Sequence, residues 1–292
     1  MNPIAESELI LNDDGSVYHL NLHPHEIADT IINVGDPDRV AMVSKFFDKV
    51  EVKKQKREFI THTGYYKGKR LTVISTGIGT DNIDIVYNEL DALVNIDLKT
   101  RCIKHETTSL NLLRIGTSGS LQQSIPVDGF VFSDYGLGLD GLLNFYNFKN
   151  DVNETRIIEA FQNHYPTYGK FAQSYLAASS PKLKIALGNG MYSGITASCS
   201  GFYAPQGRVL RYQLAREGMI DLLTSFKFED HQITNFEMET GAMYGLAKLL
   251  GHHCCSINAI VANRITKQHT HNGEATMNKL IETVLDRLAT MK

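Results

Sequence analysis

The chain has no apolar run approaching the ~20 residues that a membrane-spanning helix needs. Its start, Met1 to Asn12, lacks the basic stretch followed by a long apolar one that marks a secretory leader. Cysteine is scarce. Cys102, Cys199, Cys254 and Cys255 form no C-x-x-C pair, and adjacent Cys254 and Cys255 are a poor disulfide framework. Reduced thiols in a cytoplasmic protein are therefore expected. Excess charge is missing too: a net charge of -3 gives no electrostatic reason to expect nucleic acid or an anionic membrane as partner. A few local arginines still suffice to bind an anionic substrate. The His-x-His pairs His23/His25 and His269/His271 have no matching Cys or carboxylate cluster, so no metal site is expected.

No repeat, low-complexity tract or Pro/Ser-rich linker divides the 292 residues. What is there is an alternation of strand-like and helix-like segments. Asp29–Val34, Leu71–Ser75, Leu112–Ile115, Gly129–Phe132 and Cys254–Ala262 read as strands, and Ile185–Ala197 as a long β-prone stretch. Asp38–Asp48, Asn82–Asn95, Asn153–Asn163, Lys170–Ala178, Glu239–Leu250 and Ala275–Met291 read as helices by their apolar spacing. The order predicts one α/β domain over residues 1–292, a mixed central β-sheet flanked by helices. Asp97–Leu110, polar and carrying Lys99, Arg101 and Lys104, reads as a surface insertion or helical extension with a solvated charged face.

Four motifs sit at strand ends. Val34-Gly35-Asp36-Pro37-Asp38-Arg39 joins a strand to a helix. Glycine lets a ligand approach the backbone, free N–H groups at the helix start attract an anion, and Arg39 adds a forked donor. The same residues also read as a capped turn, with Asp36 or Asp38 as cap and Pro37 in the first turn. Ser75-Thr76-Gly77-Ile78-Gly79-Thr80 is a tight turn that matches neither dinucleotide nor P-loop spacing. Arg114-Ile115-Gly116-Thr117-Ser118-Gly119-Ser120 places an arginine where a buried strand ends, which is costly unless it meets a carboxylate or a ligand anion. In Phe236-Glu237-Met238-Glu239 two carboxylates flank a methionine, suiting either the hydroxyls of a sugar or a helix start. Convergence at the carboxyl ends of strands is where open α/β sheets bind ligands.

Together these motifs, in this order from about His19 to the C-terminus, resemble the nucleoside phosphorylase family, which has purine and pyrimidine branches. Gly201-Phe202-Tyr203-Ala204-Pro205-Gln206-Gly207-Arg208 resembles the uracil-recognition segment of the pyrimidine branch. Gln206 can both donate to and accept from a uracil edge, and Arg208 can donate to its carbonyls. Asn263 stands at or near the point where purine enzymes carry an aspartate for purine N7, and Arg264 matches an arginine of the pyrimidine enzymes.

The resemblance implies phosphate held by Gly35, Arg39, Arg114 and Thr117, with Arg57 reaching in from a neighbouring subunit. It implies ribose held by Glu239 and Met238 with Glu237 in support and His19 supplied by the neighbour. The base would lie against Phe202, Gln206, Arg208 and Arg264, with Arg114, Arg208 and Gln206 carrying the catalysis. The implied reaction is phosphorolysis of uridine and related pyrimidine nucleosides to the free base and ribose 1-phosphate, in a homo-oligomer with shared sites. Inorganic phosphate is then a co-substrate, and no cofactor is expected. Cleavage of purine nucleosides, hydrolysis by water, and nucleoside binding without turnover are the alternative functions. The chain departs from the bacterial pattern at Thr80-Asp81-Asn82, which puts in doubt a monovalent-cation site involving Glu58.

Overall fold

In the computed structural model, residues 3–166 and 173–291 are described. The first part of the chain forms β1 (Thr30–Val34), α1 (Pro37–Ser44), β2 (Lys49–Lys56), β3 (Phe59–Tyr66), β4 (Lys69–Ser75) and α2 (Thr80–Asn95). Then come β5 (Ile96–Asp97), β6 (Cys102–Ile103), β7 (Asn111–Ser120), β8 (Phe130–Gly138) and α3 (Val152–His164). The middle holds β9 (Tyr175–Ala178), α4 (Pro181–Leu187), β10 (Tyr192–Ser198) and α5 (Met219–Ser225). The last part is β11 (Lys227–Phe228), β12 (His231–Glu237), α6 (Thr240–Leu250), β13 (His253–Asn263), β14 (Gln268–His269) and α7 (Gly273–Thr290).

Twelve strands form one mixed sheet in the order β11-β12-β10-β8-β13-β7-β1-β4-β3-β2, with β9 added beside β8 and β14 beside β13. Strand β12 also pairs antiparallel with β7, through Asn235↔Ser120 and Phe236↔Gly119. Strands β12, β10, β8, β13 and β7 thereby close into a ring, from which β1, β4, β3 and β2 extend as an open wing.

The central strands are apolar on both faces, as strands covered by helices on each side must be. Ile31, Leu112 and Cys254 point to a core shared with α2 and α6. Their neighbours Ile32, Leu113 and Cys255 point to the opposite core, under α1, α4 and α7. Period-2 alternation thus sends Cys254 and Cys255 to opposite sides of the sheet, where both are buried thiols.

The α/β expectation is met, and β1, β4 and β13 fall within one or two residues of their expected bounds. Strands β7 and β8 run on to Ser120 and Gly138 rather than ending at Ile115 and Phe132, so Arg114 and Thr117 lie inside a strand and not at its end. Several elements differ. Tyr175–Ala178, read as the end of a helix, is strand β9, and residues 170–172 of that stretch lie outside the described residues. The stretch Ile185–Ala197 divides between the end of α4 and strand β10. The insertion forms the β5–β6 hairpin rather than a helix. Its charges also work on the backbone: Arg101 donates to Leu9 O, Lys104 Nζ donates to Val94 O at 2.8 Å, and Ile4 N–H donates to Arg101 O at 2.8 Å. The hairpin therefore ties the N-terminal segment down.

Candidate active site

Arg114 enters the interior from β7 with only 6% of its surface exposed. Its guanidinium donates to Glu239 Oε2 and, at 2.7 Å, to Asn258 Oδ1, while Glu237 Oε2 lies 3.6 Å away. Burial alone would depress its pKa. The carboxylates of Glu239 and Glu237 outweigh burial and hold it above the ordinary arginine value. The side chain runs along the strand face over Gly116, two residues on. A Cβ at Gly116 would overlap Arg114 Nη1 and lie 2.6 Å from Asn258 Oδ1. Register places Ser256 and Asn258 of β13 beside Arg114 and Gly116, so the partner amide is delivered by the neighbouring strand.

Glu239 caps α6 in a non-helical conformation, with φ near -138°. Its Oε1 accepts from Gly79 N–H at 2.9 Å, so one carboxylate joins the β4–α2 turn to Arg114. Helix α6 comes unusually close to the sheet: a Cβ at Gly241 would stand 2.9 Å from Gly138 Cα. On the strand side a Cβ at Gly136 would stand 2.8 Å from Gly241 Cα, so the approach needs glycine at Gly136 as well as Gly241, and it fixes where Glu239 begins the helix.

Glu237 is spent differently. Its oxygens accept from Ser198 Oγ at 2.7 Å and from the N–H groups of Glu239 and Thr240 at 3.0 Å. Burial pushes its carboxyl up to about 7, against the opposing pull of Arg114. It organises the start of α6, and Met238, half-buried, is the residue exposed between the two glutamates.

Arg39, in the first turn of α1, reaches Ile115 O at 3.5 Å. Desolvation first and the Arg114 charge second depress its pKa. Two guanidiniums that repel one another mark a place an anion would relieve. Gly35 lies beside the second glycine turn: a Cβ there would be 3.3 Å from Gly77 O. Asp36 accepts from Asp38 N–H at 3.0 Å and caps α1, as the capped-turn reading of this sequence expects. Thr117 follows, half-buried, further along β7.

A second cluster borders the first. Gln206, 3% exposed, closes a short turn at Ala204–Gln206. Arg208 donates to Gln206 Oε1 and to Phe202 O, both at 2.6 Å, and its Cζ lies 3.8 Å from the Phe202 ring centre. Arg264 donates to Gln206 O at 3.1 Å. The guanidiniums of Arg208 and Arg264 stand 5.8 and 5.6 Å from the Phe236 ring, and Phe236 immediately precedes Glu237. Burial and then Arg264 depress the pKa of Arg208. Asn263 takes no part in this cluster. Its amide nitrogen donates to Gln122 O and Ile125 O, and its oxygen accepts from Ile265 and Thr266 N–H at 2.9 Å. It pins a turn.

His19 and Arg57 both lie near Tyr18, and neither hydrogen-bonds to a member of the two clusters among the described residues. His19 packs edge-on to Tyr18 and its Nδ1 is 2.6 Å from Glu89 Oε1, so it is held rather than loose. Arg57 projects from the β2–β3 tip with φ near 54°, its Cζ 6.0 Å from the Tyr18 ring. Glu58 beside it accepts from Asn82 Nδ2 at 3.3 Å. The sequence shows Gly79 and Gly116 only as parts of turn motifs, and Asn258 and Ser198 were passed over. Only Asn258 left a signal, as an amide inside an otherwise apolar strand.

Glycine turns, two arginines and buried carboxylates thus gather around the start of α6 on one mixed sheet. The chain belongs to the phosphorylase superfamily, whose sequence model matches residues 29–290. Among its relatives, the uridine phosphorylase of Thermococcus kodakarensis is 28% identical over 268 residues, covering 90% of this chain and 83% of that one. A DeoD-type purine nucleoside phosphorylase of Bacillus cereus is 27% identical over 273 residues, covering 92% and 97%. A solved Trypanosoma brucei nucleoside phosphorylase, described as showing uridine phosphorylase activity, superposes with a TM-score of 0.86 at 29% identity. It covers 97% of this chain and 99% of that one.

Proposed function

We propose that the chain is a uridine phosphorylase, transferring ribose from uridine to inorganic phosphate. The observation that carries this reading is the Gln206–Arg208–Arg264 cluster, set over Phe236 directly beside the Arg114–Glu239 pair. Glutamine and two arginines offer a uracil edge both an acceptor and several donors. A purine would want an acid at its N7, and Asn263 has both ends of its amide engaged elsewhere.

Phosphate binds between Arg39 and Arg114, near the backbone of Gly35 and the hydroxyl of Thr117. Glu239 accepts from the ribose hydroxyls, with Met238 against the sugar's apolar face. A phosphate oxygen attacks C1′ as the bond from C1′ to the base nitrogen breaks, inverting the anomeric centre. The bond pair passes into the uracil ring, and the departing base then takes up a proton. Holding phosphate against C1′ makes the encounter nearly unimolecular. Arg208 and Gln206 face the carbonyl oxygens where negative charge develops, which favours the transition state over the ground state. No cofactor enters this scheme. Loss of uridine only when inorganic phosphate is added, with inosine left intact, is the expected assay result. Cleavage without phosphate, or preference for inosine, would overturn the reading.

We propose a homo-oligomer in which His19 and Arg57 both serve a neighbour: each contacts Tyr18, and neither bonds to Glu239 of its own chain among the described residues. Arg57→Ala and Arg39→Ala chains, each inactive alone, should regain activity when mixed and allowed to exchange subunits. A mixture that stays inactive despite exchange would place Arg57 outside the site.

A further inference from the structure

Strand β13 carries an amide where its neighbours on the same face are small or apolar. Cys254, Ser256, Asn258 and Ile260 share that face by period-2 alternation, and Asn258 is fully buried. An amide so placed is costly unless both its ends are bonded. Both are. Asn258 Oδ1 accepts from Arg114 Nη1 at 2.7 Å, and Asn258 Nδ2 donates to Ser256 Oγ at 3.1 Å. Ser256 Oγ also accepts from Thr240 Oγ1 at 2.9 Å. Glu239, which precedes Thr240, meets the other terminal nitrogen of the guanidinium. A closed ring of side chains therefore runs from Arg114 through β13 to the start of α6 and back, and every member is buried.

The ring decides which way the amide faces. Turned over, Asn258 would point N–H groups at a guanidinium, which has only donors. It also decides what Arg114 has left to give: one N–H on each terminal nitrogen is taken, and the others are left for a ligand. The residue type matters as well. Aspartate has nearly the same shape and would pair with an arginine more strongly. Yet Glu239 already offsets Arg114 with one negative charge, and Glu237 Oε2 lies 3.6 Å away. A third carboxylate would cancel the positive charge that Arg39 and Arg114 present together.

We propose that Asn258 is a neutral anchor, a positioning residue that holds the Arg114 guanidinium in one orientation for the phosphate while leaving its charge uncancelled. This rests on the phosphate site described under the proposed function. Neutrality makes Asn258 a determinant of the co-substrate: it keeps the arginine pair attractive to an anion, whereas attack by water would need no such charge.

Full-length chains carrying Asn258→Asp or Asn258→Leu test this by steady-state kinetics on uridine with inorganic phosphate varied. Asn258→Asp adds a charge at nearly unchanged shape, so KM for phosphate should rise by about tenfold or more while KM for uridine stays within about twofold. Asn258→Leu removes the acceptor and adds no charge. The guanidinium then leans toward Glu239, and kcat per folded chain should fall by about tenfold to a hundredfold, with KM for phosphate within about threefold of the parent. A residue that merely supports the fold would lower the melting temperature of both variants and separate neither constant. KM for phosphate unchanged in Asn258→Asp, or kcat unchanged in Asn258→Leu, would overturn the proposal. A parent chain that cleaves uridine without phosphate would instead overturn the functional reading, and this inference with it.

Discussion

Arg114 and Arg208 belong to neighbouring parts of one site, yet they are held in place by different means. Arg114 is fixed by Glu239 and Asn258, 125 and 144 positions further along the chain, in a buried network spanning two strands and a helix start. Arg208 is fixed by Gln206 and Phe202, two and six positions away, on a surface loop where Phe202 is half-exposed. The group proposed to meet the phosphate is part of the core. The group proposed to meet the base lies on a loop that can change without disturbing the core. A family that handles both purines and pyrimidines on one scaffold is what such a division permits.

Substitutions can break or sharpen this contrast. The largest effect is expected from Gly116→Ala, which inserts a methyl group where Arg114 passes. Overpacking should cost about 1–3 kcal/mol of stability, and the displaced guanidinium should lower kcat/KM by about 10³. Thermal unfolding and kinetics on the same sample check both. If activity falls while the melting temperature holds, Arg114 is not tied into the core as the geometry requires. Arg208→Ala should give the complementary result, turnover down by about 10² with an unchanged melting temperature. A loss of stability there would remove the distinction between the two halves.

Glu237→Gln is the subtlest. The folded carboxyl is raised to about 7 from an ordinary value of 4.5. The folded state therefore holds this proton more tightly than the unfolded chain does. Its contribution to stability is fully present below the unfolded value and is lost as pH rises through about 7. Melting temperature followed from about pH 5 to 8 should fall in the parent relative to the Glu237→Gln variant. Parallel curves would show that Glu237 does not titrate in the folded protein.

The same contrast explains what could be read from the sequence. Turns such as Gly35–Arg39 and Phe202–Arg208 announce themselves because their chemistry is local: a glycine, a cap and a charged group within a few residues. The partners of Arg114 do not, because strand register brings Asn258 to Gly116 and no local pattern encodes register. Strand β2, Lys49–Lys56, alternates only between exposed and half-exposed positions, since it lies at the sheet edge where lysines discourage further pairing. It therefore offers no apolar period to find. The stretch Tyr175–Ala178 looks helical for the opposite reason: four small or apolar residues buried on both faces carry no period that separates strand from helix.

The ring closed by β12 against β7 has a consequence in time. Its closure joins residues 111–120 to residues 231–237, and β13 between its neighbours ends only at Asn263. Nearly the whole chain must therefore leave the ribosome before the ring can shut. Pairings this distant in sequence are slow to form. Arg114 comes from one side of the seam and Glu237 and Glu239 from the other, so the ion cluster cannot exist in a half-folded intermediate. On refolding, recovery of turnover should lag behind recovery of helical signal, and a chain truncated before β12 should keep part of its sheet but no working site.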